Sequence, residues 1–299
     1  MSNLRDIGED ALIEKLIALV PCPKAIHEGP GDDCAVVDTC PDSTRLQLLK
    51  TDAIVEGVHY LASTPARAVG WKAIARVISD FAAMGGKADR FLVTIAFPAS
   101  TPVHRVEELY RGFADCLNAH GAVLAGGETT SIPEGSAVVI SIAASGHVER
   151  DKLVLRSGGK PGNHLVVSGK LGGSIKGKHL SFKPRQKEAE WLVSNYKPMA
   201  MMDLSDGMAR DLPRLAKASQ CGFKLYPDAL PLNDGCTVDQ ALHDGEDYEM
   251  LMAVDGDQKD CLIRDWNQQF PELPITVIGE LVDIGHGQEL SGGWEHFSQ

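Results

Sequence analysis

Five short acidic motifs are spread over most of the chain, and each places a carboxylate beside Gly, Ser or Thr. They are Gly31-Asp32-Asp33, Thr51-Asp52, Ser79-Asp80, Gly126-Gly127-Glu128-Thr129 and Asp203-Leu204-Ser205-Asp206-Gly207. Carboxylates gathered in one cleft repel each other strongly unless a cation lies between them. Hard oxygen ligands suit Mg²⁺, which is a usual partner of nucleotide phosphates. The motifs therefore predict a site for Mg²⁺ and phosphate groups, provided that the fold brings them together.

The alternative is that the five motifs are separate surface turns. Three of them follow apolar segments, namely residues 46–49 before Thr51-Asp52, 75–78 before Ser79-Asp80 and 122–125 before Gly126. A segment that forms part of a core and ends at an acid places that acid at the rim of the scaffold. This pattern favours a common site, with each acid following the element that carries it.

Composition limits the class of protein. The chain has 299 residues, of which 43% are hydrophobic and 23% charged, so two domains with ordinary cores are expected. No apolar stretch is long enough to span a membrane, and the N-terminus lacks the apolar core of a signal peptide. Seven cysteines without C-x-x-C spacing favour reduced thiols in a cytoplasmic protein. The net charge of −12 argues against nucleic-acid binding.

Strand-like and helix-like patterns alternate along both halves and predict an α/β or α+β fold. Helices are expected over residues 5–20, 65–84, 106–119, 186–194, 208–219 and 257–269. Strands are expected over residues 45–50, 90–96, 122–125, 137–144, 165–168, 200–204, 223–226 and 248–254. The polar stretch 146–162 is the best candidate for a domain boundary.

The segment from Gly172 to Lys178 has the G-x-x-x-x-G-K spacing of a phosphate-binding loop. The next residue is His179, however, where such a loop needs a Ser or Thr to bind Mg²⁺. We therefore interpret this segment as a turn that leads into a helix. Neither G-x-S-x-G nor H-E-x-x-H occurs, which argues against a serine nucleophile and a zinc centre.

Other candidate residues have equally plausible structural roles. His59 follows Glu56 and Gly57 near the Thr51-Asp52 motif, and three acids crowd the segment Gly245-Glu246-Asp247-Tyr248-Glu249. Arg156 offers a cation to phosphate at the domain boundary. The aromatic residues at the C-terminus either pack into a core or form a stacking wall for a ligand ring. They are Trp294, His296 and Phe297.

The ordered set of motifs resembles the thiamine-monophosphate kinase family, whose superfamily includes aminoimidazole ribonucleotide synthetase and selenophosphate synthetase. The resemblance runs from Gly8-Glu9 through the acidic motifs to Trp294-Glu-His-Phe297. It also includes Val55-Glu-Gly-Val-His59, Trp71-Lys-Ala, Leu155-Arg-Ser-Gly158 and Pro161-Gly162. Each motif alone is weak evidence, whereas the ordered set is specific.

The resemblance implies a two-domain aminoimidazole ribonucleotide synthetase-like fold, with a mixed-sheet N-terminal domain and an α/β C-terminal domain. Residues 1–148 would bind ATP and Mg²⁺ and form a homodimer, and residues 149–299 would complete the active site. The implied reaction is ATP-dependent phosphorylation of thiamine monophosphate to thiamine diphosphate with several Mg²⁺ ions. A direct in-line transfer would need no covalent intermediate.

The resemblance also assigns roles to single residues. The implied metal ligands are Asp33, Thr51, Asp52, Asp80, Glu128, Asp203 and Asp206. The implied nucleotide-binding residues are Tyr110, Gly127, Glu128, Arg156 and Ser205, and the substrate-binding ones are His59, Glu246 and Trp294. The residues expected to act in catalysis are Asp52, Glu128, Arg156 and Asp206.

Three positions depart from the family pattern. Glu128 replaces an Asp, Lys50 replaces a small hydroxyl residue, and Asp244 replaces the first Gly of a Gly-Gly-Glu-Asp turn, where it would restrict the backbone. These departures leave two alternatives open. One is a superfamily relative with another substrate, such as a ligase like aminoimidazole ribonucleotide synthetase, and the other is a catalytically weak nucleotide-binding sensor.

Overall fold

The computed structural model describes residues 3–20 and 26–297, which form eight α-helices and two β-sheets. The helices are α1 Leu4–Ile7, α2 Glu9–Ile17, α3 Ala66–Ala83, α4 Val103–His120, α5 Gln186–Asn195, α6 Met208–Ala218, α7 Val238–His243 and α8 Gly256–Gln269. The strands are β1 Ile26–Glu28, β2 Ala35–Val37, β3 Arg45–Val55, β4 Lys87–Pro98, β5 Val123–Ile132, β6 Val139–Glu149, β7 His164–Ser168, β8 Ala200–Asp203, β9 Gly222–Leu225, β10 Met250–Val254 and β11 Ile275–Val282. Short 3₁₀ helices cover Ser174–Lys176, Lys178–Leu180 and Pro227–Ala229.

The first sheet is mixed, in the order β1-β2-β3-β6-β4-β5, and only the β4–β5 pair is parallel. Alternate side chains of the central strands, such as Leu48, Phe91 and Ile142, are buried in a core shared with α3 and α4. The side chains between them lie on the opposite face, which stays open. Strand β5 forms one edge of the sheet, and nine of its ten residues are exposed.

Helices α3 and α4 pack with their backbones in direct contact. A Cβ atom at Gly70 would lie 2.1 Å from the carbonyl oxygen of Leu109, and one at Gly112 would lie 2.0 Å from that of Arg67. Only glycine permits so close an approach. This contact fixes α3 against the sheet along a length that ends near Asp80.

The second sheet is antiparallel throughout, in the order β8-β10-β7-β11-β9. Helix α6 covers one face, and α5 and α8 cover the other. Because both faces are covered, β8 and β10 are buried along their whole length, which explains their continuous apolar sequences. The C-terminal half is therefore a layered arrangement of helices on an antiparallel sheet.

The mixed first sheet and the two-part fold predicted from the sequence are confirmed, whereas several boundaries were wrong. The opening helix is divided at Gly8, and strands β1, β2 and β11 were missed. The expectation that acids follow their elements was also wrong in part. Asp52 lies inside β3, Asp80 inside α3 and Glu128 inside β5, because each element continues for at least three residues beyond its acid.

Among the described residues, no helix combines the length and the apolar character that a membrane span requires.

Candidate active site

A cavity of about 700 Å³ opens between the two halves of the chain. Acidic side chains outnumber basic ones along its wall. The site residues predicted from the sequence that line it are Asp52, Asp80, Arg156, Asp203, Ser205 and Asp206.

Three of the predicted metal ligands meet beside this cavity. One carboxylate oxygen of each of Asp33, Asp80 and Asp203 lies within 4.8 Å of the other two. Asp33 comes from the turn before β2, Asp80 from the last turn of α3, and Asp203 from the end of β8. The hydroxyl of Ser79 donates to Asp203 Oδ2 at 2.5 Å and so joins α3 to β8. The fold thus brings together acids from three distant parts of the sequence.

Burial disfavours the charged form of these acids. Burial, reinforced by the charge of Asp33, raises the pKa of Asp203 to about 7. Burial also holds the pKa of Asp80 well above its usual range, although the nearby Lys50 opposes the shift. For Asp32, burial and the charge of Asp33 raise the pKa to about 6. Additional positive charge at this site would favour the carboxylate forms.

Two basic side chains already neutralise part of the acidic charge. Lys50 Nζ donates to Asp80 Oδ1 at 2.8 Å, and Arg156 Nη2 donates to Asp33 Oδ1 at 2.5 Å. Burial alone would lower the pKa of Lys50, but the charge of Asp80 outweighs it and raises the pKa above the usual lysine value. Lys50 is therefore a fixed cation of this site.

Several buried polar atoms around the cavity have no hydrogen-bond partner among the described residues. They are Asp33 Oδ2, Arg76 Nε, Arg76 Nη1 and Arg156 Nε. Arg76 Nε lies 3.2 Å from Asp52 Oδ2 but makes no hydrogen bond to it. An unpaired buried polar group costs about 1–3 kcal/mol. An unpaired carboxylate oxygen near guanidinium nitrogens without hydrogen-bond partners fits a ligand set that contains both a cation and an anion.

Helix α3 presents a row of polar side chains to this region. Lys72, Arg76 and Asp80 are spaced by four residues, which places them along one face of an otherwise apolar helix. Of these three, only Asp80 is predicted as a site residue from the sequence. Polar residues at four-residue intervals within an apolar helix are the signal that would have identified Lys72 and Arg76.

The acidic turn after β8 is fixed from several sides. Glu246 N donates to the carbonyl oxygen of Ser205 at 2.7 Å, which joins this turn to the Gly245–Glu249 segment. Arg214 Nη1 donates to Asp206 Oδ2 at 2.5 Å. Ser205 and Asp206 therefore have defined positions on the wall of the cavity.

Asp244 fits its turn without strain, so the expectation that it restricts the backbone was wrong. Its φ and ψ are −64° and −36°, in the right-handed helical region that any residue adopts. Its Oδ2 accepts a hydrogen bond from Gly173 N at 2.8 Å. The left-handed positions of this segment are instead Gly245, Glu246 and Tyr248.

The predicted substrate-binding residues His59 and Trp294 lie near each other. The rings of His59 and Trp294 lie 5.6 Å and 6.1 Å, respectively, from that of His296, which itself lines the cavity. Trp294 N donates to the carbonyl oxygen of Asp206 at 2.8 Å. Burial, together with the charge of Arg76, lowers the pKa of His59 to about 4, so its ring is neutral at pH 7.

Four predicted site residues lie elsewhere on the described part of one chain. Thr51 is on the open face of the first sheet, where its hydroxyl donates to a backbone carbonyl of β6 at 3.1 Å. Gly127 and Glu128 are exposed on the edge strand β5. Tyr110 lies on α4, packed against the first core. None of these four lines the cavity described above.

In the segment that resembles a phosphate-binding loop, the donors Gly172 N and Lys178 Nζ make hydrogen bonds to acidic side chains of the protein. Gly172 N donates to both carboxylate oxygens of Asp247 at 3.1 Å, and Lys178 Nζ donates to Glu249 Oε1 at 3.1 Å. These donors are therefore already used. The interpretation of this segment as a turn agrees with the structure, which has short 3₁₀ helices there.

The donor set beside the cavity fits a hard divalent cation. Asp33, Asp80 and Asp203 offer carboxylate oxygens, which Mg²⁺ prefers over nitrogen or sulfur. Asp33 Oδ2 is buried and unpaired. Lys50 occupies Asp80 Oδ1, but a carboxylate has a second oxygen and about four lone-pair sites.

Two sequence families match consecutive parts of the chain. The AIR synthase related protein, N-terminal domain, matches residues 31–148, and the AIR synthase related protein, C-terminal domain, matches residues 135–289. The chain is 32% identical to a thiamine-monophosphate kinase of Rhodopirellula baltica, over 85% of this chain and 83% of that protein. It is 31% identical to one of Aquifex aeolicus, over 99% of this chain and all of that protein.

The fold is similar to a solved structure described as AaThiL complexed with AMPPCP and TMP. The TM-score is 0.84 at 29% identity, and the match covers 99% of both chains. The similarity therefore includes both halves of the chain.

We predict that divalent cations stabilise the protein through the three-carboxylate cluster. Millimolar Mg²⁺ or Mn²⁺ at low ionic strength should raise the Tm by about 3 °C or more, because a cation that binds only the folded state stabilises it. Asp203→Asn should reduce this shift to about 1 °C or less. Differential scanning fluorimetry provides the measurement.

The matched control is Asp115→Asn, which removes an exposed carboxylate paired with Arg67 and should keep the full response. An equal cation response in Asp203→Asn and the unaltered chain would show that the cations bind elsewhere.

Proposed function

The chain belongs to the thiamine-monophosphate kinase family, within the AIR synthase related proteins, and we infer that it phosphorylates thiamine monophosphate with ATP to form thiamine diphosphate and ADP. The observation that carries this inference is the end-to-end similarity to a structure containing AMPPCP and TMP, at a TM-score of 0.84. We read the acceptor in that structure as thiamine monophosphate, since the relatives carry that name. We propose a cytoplasmic reaction, because ATP is supplied there.

We propose that Mg²⁺ is the metal, held by Asp33, Asp80 and Asp203 with Asp52 and Asp206 nearby on the cavity wall. Bound Mg²⁺ would neutralise phosphate oxygens and so let a strongly acidic cavity accept a nucleotide. The buried, unpaired Asp33 Oδ2 supports this proposal.

On the nucleotide side, we propose that Arg156 and Ser205 bind phosphate groups. Both line the cavity, and Arg156 Nε is a buried donor without a partner among the described residues. Arg156 is also held in place, since its backbone N–H donates to Asp32 Oδ2 at 2.9 Å. A guanidinium fixed in this way adds positive charge without reorganisation during the reaction.

On the acceptor side, we propose that His59, Glu246 and Trp294 bind thiamine monophosphate. A neutral His59 and the half-buried indole of Trp294 provide ring surfaces near the cavity, and Glu246 provides a carboxylate. Thiamine has two heteroaromatic rings, and its thiazolium ring is a cation, which both an indole face and a carboxylate attract.

The chemistry asks for positioning and charge neutralisation rather than for a nucleophilic side chain. The acceptor is a phosphate, which is already ionised near neutral pH, so no general base is required. Direct in-line transfer needs the two phosphates aligned in a cavity of fixed charge. Lys50 and Arg156 supply fixed cations there, and α3 holds Asp80 and Arg76 on a rigid element.

We also propose a homodimer formed mainly by residues 1–148, with residues 149–299 as the second domain. The open face of the first sheet supports this proposal, because its row Thr51, Ala143 and Leu92 is exposed. Strand β5 adds an unpaired edge, a feature that proteins usually cover. A second copy on this face would also cover Gly127 and Glu128, which are exposed in one chain.

The first prediction tests the reaction itself. The purified protein, incubated with ATP, Mg²⁺ and thiamine monophosphate, should form thiamine diphosphate and ADP in equal amounts, as measured by chromatography. Asp52→Asn and Asp206→Asn keep the side-chain size but remove the charge. Each should lower turnover at least about a hundredfold, on the order of 3 kcal/mol of transition-state stabilisation.

Asp115→Asn again serves as the control and should retain full turnover. Nucleotide binding without product would support the sensor alternative. Near-normal turnover in both Asp52→Asn and Asp206→Asn, with intact folding, would mean that the reacting groups lie elsewhere.

A second prediction concerns the ring of Trp294. Trp294→Ala should raise the KM for thiamine monophosphate about tenfold, corresponding to roughly 1–2 kcal/mol, and leave the KM for ATP nearly unchanged. The control is Trp191→Ala, which removes an indole that packs on Trp266 and Phe270 and should lower the Tm instead. If Trp294→Ala lowers the Tm and weakens both substrates alike, then its indole has only a packing role.

A third prediction tests the dimer. The unaltered chain should have twice the 32.1 kDa chain mass by light scattering. Leu92 lies on the open face and is 51% exposed. The variant Leu92→Lys should therefore shift the mass to that of one chain. Ile284→Lys changes an even more exposed apolar residue after β11 and should leave the dimer intact. A dimer that tolerates Leu92→Lys but dissociates with Ile284→Lys would place the interface on the second half.

A further inference from the structure

Lys72 on α3 is fully buried and contacts three separate segments of the chain. Its Nζ donates to the carbonyl oxygen of His59 at 2.6 Å and to Glu246 Oε2 at 2.5 Å. His179 Nδ1 lies 2.7 Å from the same Nζ. Two of the three ammonium donors therefore have acceptors, the carbonyl oxygen of His59 and the carboxylate of Glu246, and the third faces the imidazole of His179. All the polar contacts of the Lys72 ammonium are therefore made inside the protein.

The three segments belong to different halves of the fold. His59 lies in the loop after β3, whereas Glu246 precedes β10 and His179 lies in the 3₁₀ helix Lys178–Leu180. Lys72 thus fastens part of the second half to α3. Because α3 also carries Asp80, this contact and the Glu246 N–Ser205 O hydrogen bond together hold the Glu246 segment next to the three-carboxylate cluster.

Lys72 differs in exposure from the residue it holds. The Lys72 side chain has no exposed surface, whereas 18% of the Glu246 side chain remains exposed. A ligand can therefore reach Glu246 but not Lys72. Any effect of Lys72 on a ligand must pass through Glu246 or His59.

Glu246 needs such support because its backbone is strained. Its φ is +55°, in the left-handed region that non-glycine residues rarely adopt, and Tyr248 two residues later has a φ of +51°. Gly245 before it permits a close approach, since a Cβ there would lie 2.9 Å from the carbonyl oxygen of Ser205. Side-chain contacts must therefore favour this conformation.

The electrostatics agree with a stable ion pair. Burial raises the pKa of Glu246, but His179 and the charges of Lys72 and Arg76 outweigh it and bring the pKa to about 2. Burial lowers the pKa of Lys72 to about 8, with Glu246 opposing the shift. His179 Nδ1 also lies 2.8 Å from Glu246 Oε2, so the imidazole completes the same cluster.

We propose that Lys72 is a positioning residue for the acceptor: it holds Glu246 in the arrangement that binds thiamine monophosphate. The proposal rests on the function inferred above, in which Glu246 and His59 contact the acceptor. It assigns Lys72 no contact with either substrate. Lys72 should consequently affect the acceptor selectively and act through Glu246.

The test is a double-mutant cycle on the full chain, which measures whether two residues act as one unit. Lys72→Met removes the ammonium and keeps an unbranched buried chain. We expect Lys72→Met to raise the KM for thiamine monophosphate about tenfold or more while the KM for ATP changes less than about twofold. In a Glu246→Gln background, adding Lys72→Met should change the acceptor KM by less than about twofold.

Lys72→Met alone leaves Glu246 with an unbalanced buried charge, and this can prevent folding. The double variant removes both charges and avoids that cost, and a further loss of acceptor affinity relative to Glu246→Gln would overturn the proposal even if Lys72→Met does not fold. Calorimetric titration of thiamine monophosphate, with a non-hydrolysable ATP analogue present, gives the acceptor affinity for variants that turn over too slowly.

Lys178→Met is the matched control. It removes another lysine–glutamate pair, 3.1 Å long, whose partner Glu249 keeps Arg185, and neither KM should change. Equal losses for both substrates in Lys72→Met, or effects that multiply in the double variant, would overturn the proposal. If the unaltered chain forms no thiamine diphosphate, the proposed function fails and this inference fails with it.

Discussion

The electrostatic cost of gathering carboxylates between two domains is the constraint on which the rest of the structure depends. Asp33, Asp80 and Asp203 lie within 4.8 Å of one another and are shielded from water, so their repulsion is strong. Such a cluster persists only if cations balance it and if rigid elements prevent the acids from moving apart. Helix α3 supplies the rigid support for Asp80, whereas Lys50 and Arg156 supply the cations that pair with Asp80 and Asp33.

The precision of α3 has its origin in packing. Its backbone contacts that of α4 at Gly70 and Gly112, and its apolar side chains fill the core under the first sheet. The polar face of the same helix contacts the second half through the Ser79–Asp203 and Lys72–Glu246 pairs. Displacement of α3 would therefore disturb the acidic cluster and the Glu246 segment together. The helix is therefore the common support of the three-carboxylate cluster and of the Glu246 segment.

The sequence predicted which acids come together better than it predicted the bounds of the strands and helices that carry them. The motifs containing Asp52, Asp80 and Asp203 do converge on one cavity, because Gly, Ser and Thr beside an acid mark a place where the backbone approaches other elements. The exact ends of strands and helices could not be predicted, since the hydrogen bonds that extend β3 to Val55 come from β6, which is distant in sequence. Lys72 was missed for a similar reason. A lysine in a helix is ordinarily solvated, and only the acceptors brought from His59 and Glu246, with the imidazole of His179 beside them, make its burial possible.

The three departures from the family pattern have different physical weight. Asp244 adopts ordinary helical dihedrals and does not line the cavity. Its carboxylate instead accepts a hydrogen bond from Gly173 N. Glu128 is exposed on an edge strand, so its extra methylene meets no obstacle within one chain, and its effect depends on what covers β5. Lys50 is different, because its ammonium lies 2.8 Å from Asp80 Oδ1 inside the acidic cluster. A fixed cation at that position neutralises charge permanently, whereas a metal ion does so only when bound. Lys50 therefore supplies from the protein a positive charge that would otherwise come from a bound ion. Of the three departures, it is the one in direct contact with the three-carboxylate cluster.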